Sequence, residues 1–390
     1  MTSGVPVGGK GKDVYVGSSK RTYTMMHDAE KFLCNDVMSA NLLPNDFIEL
    51  FRHAVSVGSF SDIYIRIGQP VIVRSEGTNY QLSLKKRLST DEVKSFVSFM
   101  YDDGVWSDAR SGKEFVSAFE FPADRNDDRL KTTVRMRVIV AREQGMVDPK
   151  GVVIVLRKIE NVIPTLDTLN VKQIIRDHAF PRQGLVIVAG ETGSGKSTLL
   201  AAIIHHILTY KGDDRPDAVI SELSDPIEFL YHNVDKGRNI ITQHAVGERN
   251  DVRTFAQGIK NAKRMNTTHI LIGETRDKES VEQMYAASNI GNCCYTTFHS
   301  NSVSSVFKGM GQLFDADQER MRVCEIIKDT ALVVIQYLAK VGNKRVPIQE
   351  VLPMTREVKK RLLNTPYEDI YREIDKCVEE FGFSMQQDAK

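Results

Sequence analysis

The stretch that decides the fold is "GLVIVAGETGSGKSTLLAAIIHHIL", residues 184–208. It opens with a short apolar run rich in β-branched residues, and it closes with a run of helical character. Between these runs, nine residues from Gly190 to Thr198 contain three glycines and a lysine. A strand, a glycine-rich turn and a helix in this order predict a loop whose backbone N–H groups face an anion.

Gly190, Gly195, Lys196 and Ser197 have the spacing of a P-loop. The helix that follows adds its positive N-terminal end to the loop amides. We expect Lys196 to reach the β- and γ-phosphates of a nucleotide, and Ser197 to ligate Mg²⁺. The predicted nucleotide-binding residues are Gly190, Glu191, Thr192, Gly193, Ser194, Gly195, Lys196, Ser197 and Thr198.

Composition narrows the class of protein. The 390 residues include 52 basic and 51 acidic side chains, a net charge of +1, which gives no reason to expect a nucleic-acid or anionic-membrane partner. No apolar run approaches the roughly 18 residues of a spanning helix. The N-terminal stretch lacks the apolar core of a secretory signal, so we expect a cytoplasmic protein. Its five cysteines form no Cys-x-x-Cys pair, which argues against a zinc or dithiol site.

The pattern along the chain predicts four segments. Residues 1–45 begin rich in Gly, Ser and Lys and are expected to be flexible. Residues 46–160 mix helical spacing with alternating strands, which is typical of an α+β domain. Residues 161–170 are interpreted as a linker. Residues 171–390 change to strands alternating with helices, which predicts a parallel sheet buried on both faces, and residues from about 320 to 385 are expected to be mainly helical.

Acidic and imidazole side chains follow three other predicted strands of this second domain. Glu274 follows "HILI", Asp225 and Glu228 follow "AVISELS", and His299 follows "CCYTT". A carboxylate at the carboxyl end of a core strand lies beside the P-loop in such sheets. Glu274 is therefore a candidate to hold Mg²⁺ or to polarise an attacking water molecule.

These four motifs, in this order, resemble the secretion ATPases of type II, type IV pilus and type IV secretion machines. Residues 225–228 resemble the family's Asp box, residues 270–277 its Walker B segment, and residues 291–300 its His box. Residues 61–77 are similar to the opening of the family's PAS-like N-terminal domain. The resemblance implies a RecA-like P-loop NTPase domain, an α+β PAS-like N-terminal domain and a helical C-terminal region.

The resemblance also implies roles for individual residues. Glu274 would be the catalytic glutamate, Glu228 would assist Mg²⁺ or water, and His299 would contact the γ-phosphate region. Arg137 and Arg157 match positions at which the family presents arginines to ATP, a task that suits a side chain that is always charged and bidentate toward phosphate. Implied partners are five further copies in a homohexamer and the inner-membrane proteins of a secretion complex, to which the ring would dock peripherally.

Departures from the family pattern point to one branch. Ser224 stands where the family has Glu, and residues 266–268 replace an Asp-Pro-Asp. The Cys-x-x-Cys pairs of the assembly branches and the Ala-Ile-Arg motif of the retraction branch are absent, and residues 353–362 stand near the latter's place. A retraction-type core without that motif looks most like the DotB/TraJ branch, which powers Dot/Icm-type (type IVB) secretion and related conjugative transfer.

Three alternatives remain open from the sequence. A pilus-retraction ATPase shares the core motifs. A RecA-like nucleic-acid translocase would need a basic channel and hydrolysis stimulated by nucleic acid. A nucleotide switch that does not hydrolyse ATP would not need Glu274.

Overall fold

The computed structural model describes residues 30–125, 133–145, 147–159, 162–341 and 344–384. The chain forms two compact units, Met1–Ile159 and Glu160–Lys390. In the part of the chain that is described, no helix is long and apolar enough to cross a membrane.

The first unit, as far as it is described, is an antiparallel sheet of six strands whose buried residues form one core with three helices. The strands are β1 (Asp62–Arg66), β2 (Ile72–Ser75), β3 (Thr78–Gln81), β4 (Phe115–Pro122), β5 (Thr133–Glu143) and β6 (Gly151–Ile159). Their order in the sheet is β3-β2-β1-β6-β5-β4. The helices are α1 (Pro44–Val57), α2 (Thr90–Met100) and α3 (Asp103–Ser111). The predicted α+β organisation of this unit is confirmed.

One carboxylate fixes the start of α2 and the chain that leads into α1. The Glu92 carboxylate accepts the Ser89 N–H at 2.7 Å, and the Ser89 hydroxyl accepts the Glu92 N–H, which is a capping box. The other Glu92 oxygen accepts the Leu42 N–H at 2.6 Å and the Lys85 ammonium at 2.7 Å. These bonds hold Glu92 in a buried position and lower the pKa of its carboxyl against the opposing effect of burial.

The prediction of a flexible segment over residues 1–45 is wrong for residues 30–45. The side chains of Phe32, Cys34, Val37 and Leu42 are buried in the core of the first unit. The Cys34 N–H also donates to the Leu82 carbonyl at 2.9 Å. This stretch contains no strand and its helix begins only at Pro44, so burial against distant residues, and not a regular period, orders the segment. Residues 1–29 lie outside the described residues.

The second unit is an α/β layer with a seven-stranded sheet, counted over the described residues. The strands are β7 (Gly184–Ala189), β8 (Val219–Ser224), β9 (Ile240–Ala245), β10 (His269–Ile272), β11 (Cys293–Phe298), β12 (Thr330–Val341) and β13 (Lys344–Pro353). Their order in the sheet is β13-β12-β7-β11-β10-β8-β9, and all neighbours pair in parallel except β12 and β13. The helices are α4 (Gln173–His178), α5 (Lys196–Thr209), α6 (Phe255–Arg264), α7 (Lys278–Ser288), α8 (Val303–Gly311), α9 (Ala316–Asp329), α10 (Arg356–Asn364) and α11 (Ile370–Phe381).

The central strands are buried on both faces, as their continuous apolar runs predict. In β7, Leu185, Ile187 and Ala189 pack into one core with α6 to α11, whereas Val186 and Val188 pack into a second core with α4 and α5. The four strands expected around the P-loop are confirmed as β7, β8, β10 and β11.

Two boundaries in this unit differ from the prediction. The expected C-terminal helices are present, but residues 330–341 and 344–353 form the antiparallel pair β12–β13, because β12 is apolar enough to be buried beside β7. The expected linker, residues 161–170, is partly built into the second unit. Leu166 is buried in its core, and the Arg176 guanidinium donates to the Leu166 carbonyl at 2.7 Å. Glu160 and Asn161 lie outside the described residues.

The order found in residues 30–45 predicts a stability effect. Phe32 is fully buried and its ring lies 5.3 Å from that of Tyr80, so Phe32→Ala should lower the free energy of unfolding by about 3–5 kcal/mol. Met38→Ala is the matched control, because Met38 is 78% exposed. Urea unfolding followed by circular dichroism measures both variants. Equal stabilities would show that the segment does not contribute to the core.

Candidate functional site

The predicted site residues of the second unit gather at one edge of its sheet. Because β7, β8, β10 and β11 run parallel, their carboxyl ends share that edge. The P-loop follows β7, Glu228 lies after β8, Glu274 after β10 and His299 after β11. Because β11 lies between β7 and β10 in the sheet, the P-loop, His299 and Glu274 are neighbours in space although they are far apart in sequence.

The P-loop has a backbone that only glycine permits at its two ends. Gly190 and Gly195 have φ of 153° and 85°, in the region that side chains disfavour. A Cβ on Gly190 would lie 2.2 Å from the Gln336 carbonyl oxygen, and one on Gly195 would lie 2.8 Å from Gln336 Nε2. The loop therefore curls tightly against β12, and the fit leaves no room for a side chain at either position.

Lys196 begins α5 and folds back over the loop. Its ammonium donates to the carbonyls of Gly190 and Glu191, both at 2.8 Å. Burial lowers the pKa of Lys196, and the negative charges of Glu274 and Glu228 act in the opposite direction.

The loop and helix offer the donors that a nucleoside triphosphate needs. The first amides of α5 have no acceptor within the helix, and its N-terminus carries the positive end of the helix dipole. The Ser194 hydroxyl is buried without a hydrogen-bond partner among the described residues. With Lys196 beside them and the Ser197 hydroxyl on the first turn, these groups fit a phosphate chain with Mg²⁺, which prefers oxygen ligands.

The Glu274 carboxylate has a cation or imidazole on each oxygen. His299 Nε2 lies 3.0 Å from Oε1, and the Arg276 guanidinium donates to Oε2 at 2.8 Å from Nε. The structure thus brings Glu274 and His299 together. Sequence reasoning missed Arg276, although its position two residues after Glu274 in "GETRD" was a local signal.

Three threonines lock the loop after β10 onto β11. The Thr275 N–H donates to the Thr297 carbonyl at 2.9 Å, and the Thr297 hydroxyl donates to the Gly273 carbonyl at 2.7 Å. The hydroxyls of Thr275 and Thr296 are 2.7 Å apart. Glu274, which lies between Gly273 and Thr275, is therefore held on a rigid backbone next to the end of β11, where His299 follows.

Glu228 lies on a segment that Gln243 of β9 clamps. The Gln243 side-chain amide donates to the Phe229 carbonyl at 2.7 Å and accepts the Tyr231 N–H at 3.1 Å. The same amide donates to the buried Glu222 carboxylate at 2.7 Å. At the position where the family has Glu, the Ser224 hydroxyl donates to Glu222 at 2.9 Å. Glu222, which lies two residues before Ser224 on the same face of β8, therefore accepts a hydrogen bond from the same Gln243 amide that holds the segment of Glu228.

Arg137 and Arg157 lie in the first unit, directly opposite each other on β5 and β6. The Arg157 guanidinium donates to the buried Asp62 carboxylate at 2.8 Å, and its side chain stays 64% exposed. The negative charge of Asp62 therefore reduces the repulsion between Arg137 and Arg157. The structure brings the two arginines together on one face of their sheet.

Comparison with known proteins places this arrangement in a family. The family profile described as "Type II/IV secretion system protein" matches residues 125–375, more than half of the chain. The chain belongs to the type II/IV secretion system protein family. The match covers all four motifs of the second unit and both first-unit arginines, and it confirms the family expected from the sequence.

Relatives in this family are described as ATPases. The chain is 29% identical over 323 residues to the type IV pilus ATPase PilU of Pseudomonas aeruginosa, covering 82% of this chain and 75% of PilU. The crystal structure of the ATPase DotB of Legionella pneumophila is similar over 90% of this chain and 92% of DotB, with a TM-score of 0.80 and 28% identity. The corresponding DotB of Yersinia pseudotuberculosis gives a TM-score of 0.69 at 26% identity, over 89% of this chain and 88% of that one. The likeness to DotB confirms the predicted RecA-like ATPase fold.

The position of Lys196 predicts a loss of nucleotide affinity on its removal. Lys196→Ala should bind ATP more weakly and turn it over at least 10²–10³-fold more slowly, roughly the effect of removing one charge-stabilising donor. Lys211→Ala is the control, since Lys211 pairs with Asp235 on the surface. Fluorescent-nucleotide titration and phosphate release measure the two quantities. Wild-type turnover in Lys196→Ala would exclude this loop as the phosphate site.

Proposed function

We propose that this ATPase is a hexameric motor that hydrolyses ATP to power a type IVB (Dot/Icm-like) secretion or conjugative transfer apparatus. The observation that carries the proposal is the similarity to DotB, which extends over nine-tenths of both chains and therefore through both units. The retention of Lys196, Glu274 and His299 at one sheet edge supports hydrolysis over passive nucleotide binding.

Each residue of the site has a role in this proposal. Lys196 and the loop amides hold the β- and γ-phosphates, and Ser197 would ligate Mg²⁺, with Glu228 and Glu274 contributing directly or through water. The ion supplies positive charge against the phosphate oxygens. Glu274 accepts the proton of the water that attacks the γ-phosphorus as the bond to ADP breaks, and His299 contacts the γ-phosphate. Arg276 and His299 hold the Glu274 carboxylate in one orientation.

The ring and its location belong to the same proposal. A hexamer would let Arg137 and Arg157 of the first unit act on a nucleotide bound to a second unit. Movement of one unit against a neighbour around ATP would convert hydrolysis into mechanical work. The ring would be cytoplasmic and would dock peripherally on inner-membrane proteins of the secretion complex, without binding nucleic acid itself.

A pilus motor is the second candidate, and the sequence similarity to two pilus ATPases supports it. PilU of P. aeruginosa is 29% identical and PilT of the same organism, described as a type IV pilus retraction ATPase, is 25% identical over 338 residues, covering 84% of this chain and 88% of PilT. Co-purification from the native cell, followed by mass spectrometry, separates the two. Recovery of secretion-complex proteins supports the first candidate, whereas recovery of pilus assembly proteins would replace it. Turnover that rises on addition of DNA would instead favour a translocase.

The contacts of Glu274 predict that binding and hydrolysis can be separated. Glu274→Gln should retain Mg-ATP but hydrolyse it roughly 10²–10⁴-fold more slowly, because the amide keeps the shape of the side chain and cannot accept a proton. Glu279→Gln, at an exposed position on α7, is the matched control. Single-turnover hydrolysis and ATP retention are measured on the same preparations. Normal turnover would transfer the role to another carboxylate, with Glu228 the first to examine.

The paired arginines predict a second separation. Arg137→Ala and Arg157→Ala should bind ATP normally but turn it over more slowly, by roughly 10³-fold or more if each acts as an arginine finger. The exposed Arg142→Ala on β5 is the control. Because Arg157→Ala leaves the Asp62 carboxylate without this donor, thermal unfolding is recorded for each variant.

The hexamer requirement is tested on the same proteins. Turnover per protomer of the wild type should rise with protein concentration as rings form, and light scattering reports the assembly state. The ring motor would be refuted if a monomeric preparation had the same turnover per protomer as the assembled one and both arginine variants had wild-type rates.

A further inference from the structure

Two buried glutamines connect the β12–β13 hairpin to the P-loop. Gln336 of β12 and Gln349 of β13 are directly opposite each other and are 6% and 3% exposed. The Gln349 side-chain amide donates to Gln336 Oε1 at 2.9 Å, and Gln336 Nε2 donates to the Ser194 carbonyl at 2.8 Å. A relay of two amides therefore ends on the backbone of the phosphate loop.

The orientation of the Gln336 amide is determined by its partners. The Ser194 carbonyl can only accept a hydrogen bond, so the Gln336 amide must turn its nitrogen toward the loop. Its oxygen then faces β13, where the Gln349 nitrogen supplies a donor. Because a buried amide that loses a partner is costly, the relay favours a single arrangement of both side chains.

The hydrogen bond to the Ser194 carbonyl also fixes the orientation of the Gly195 N–H. The Ser194 carbonyl and the Gly195 N–H belong to the same trans peptide plane, so they point in opposite directions. With the carbonyl directed at Gln336, the Gly195 N–H points away from the Gln336 side chain. Gly195 has no Cβ to keep Gln336 Nε2 away, and the Gln336 main-chain carbonyl approaches Gly190 at the other end of the loop.

The opposite face of the hairpin contacts the segment after His299. Ile335 and Glu350 are the neighbouring pair in the register, and Glu350 Oε1 accepts the Val303 N–H at 2.8 Å where α8 begins. Successive pairs of one hairpin thus support the P-loop on one side and the end of the His299 loop on the other.

We propose that Gln336 is a positioning residue for nucleotide binding, which presets the Ser194–Gly195 peptide for phosphate, and that Gln349 acts by holding the Gln336 amide. This inference rests on the proposed binding of ATP at the P-loop. It assigns to Gln336 an effect on affinity and not on the chemical step, because the hydrogen bonds of the relay lead to the backbone of the P-loop.

The test separates affinity from turnover in the full chain. Gln336→Leu should raise the Kd for Mg-ATP and Mg-ADP and the KM for ATP about 10-fold, the loss expected for one buried hydrogen bond, while kcat at saturation changes less than 3-fold. Gln349→Leu should have a smaller effect in the same direction. The double variant should match Gln336→Leu alone, because Gln349 acts only through Gln336. Gln312→Leu, exposed after α8, is the control.

A second variant gives a signature that a purely structural role would not. In Gln336→Glu an ionised carboxylate faces the Ser194 carbonyl and cannot donate, whereas its protonated form can. The gap in nucleotide affinity between this variant and the wild type should therefore narrow as the pH falls from 8 toward 5. This comparison also holds if Gln336→Leu does not fold, which thermal unfolding without nucleotide reports.

The outcomes distinguish this inference from the function on which it rests. If the wild type binds Mg-ATP and Gln336→Leu binds it equally well, the positioning role is refuted and the ATPase proposal stands. An effect on kcat with unchanged Kd also refutes it. If the wild type itself does not bind Mg-ATP, the proposed function fails first.

Discussion

The parallel pairing of β11 with β7 on one side and β10 on the other is the constraint on which the candidate site depends. It places the ends of three strands at one edge, so Lys196, Glu274 and His299 lie at the same end of the sheet although about a hundred residues separate the first from the last. The threonine bonds between β10 and β11 then hold Glu274 on a fixed backbone. A change in strand order would separate these groups without altering any motif.

Charge balance at this edge follows from what the edge must bind. A site for a phosphate chain needs positive charge, and a site for Mg²⁺ needs carboxylates, so both signs are concentrated in a small volume. Lys196 forms hydrogen bonds to loop carbonyls, and Arg276 lies on Glu274. Lys196, Glu274 and Arg276 therefore already have hydrogen-bond or ion-pair partners, and binding of a nucleotide would exchange these partners.

The features of the fold and site that could be predicted from the sequence are those that a local pattern of residues determines. The P-loop, the four strands around it and the residues at their ends are visible because an apolar run, a glycine turn and a polar tip lie within ten residues of one another. The order of residues 30–45 and the β12–β13 pair were missed because their burial depends on distant partners, such as Glu92 for Leu42 and β7 for β12. Gln336 lies outside the four recognised motifs, and its position beside Ser194 follows only from the pairing of β12 with β7.

The register of the β12–β13 hairpin has a consequence for how this family can vary in length. Side chains alternate between the two faces of a strand, so a shift of one residue in β13 would turn Gln349 away from Gln336 and bring a charged Glu350 or an apolar Ile348 to that face. A shift of β13 by two residues keeps the face but pairs Gln349 with a residue other than Gln336, so any change in length must be absorbed before the strand reaches Gln349. Relatives that keep the two glutamines opposite each other should therefore differ in the length of the connection between β12 and β13 and not in the register of β13.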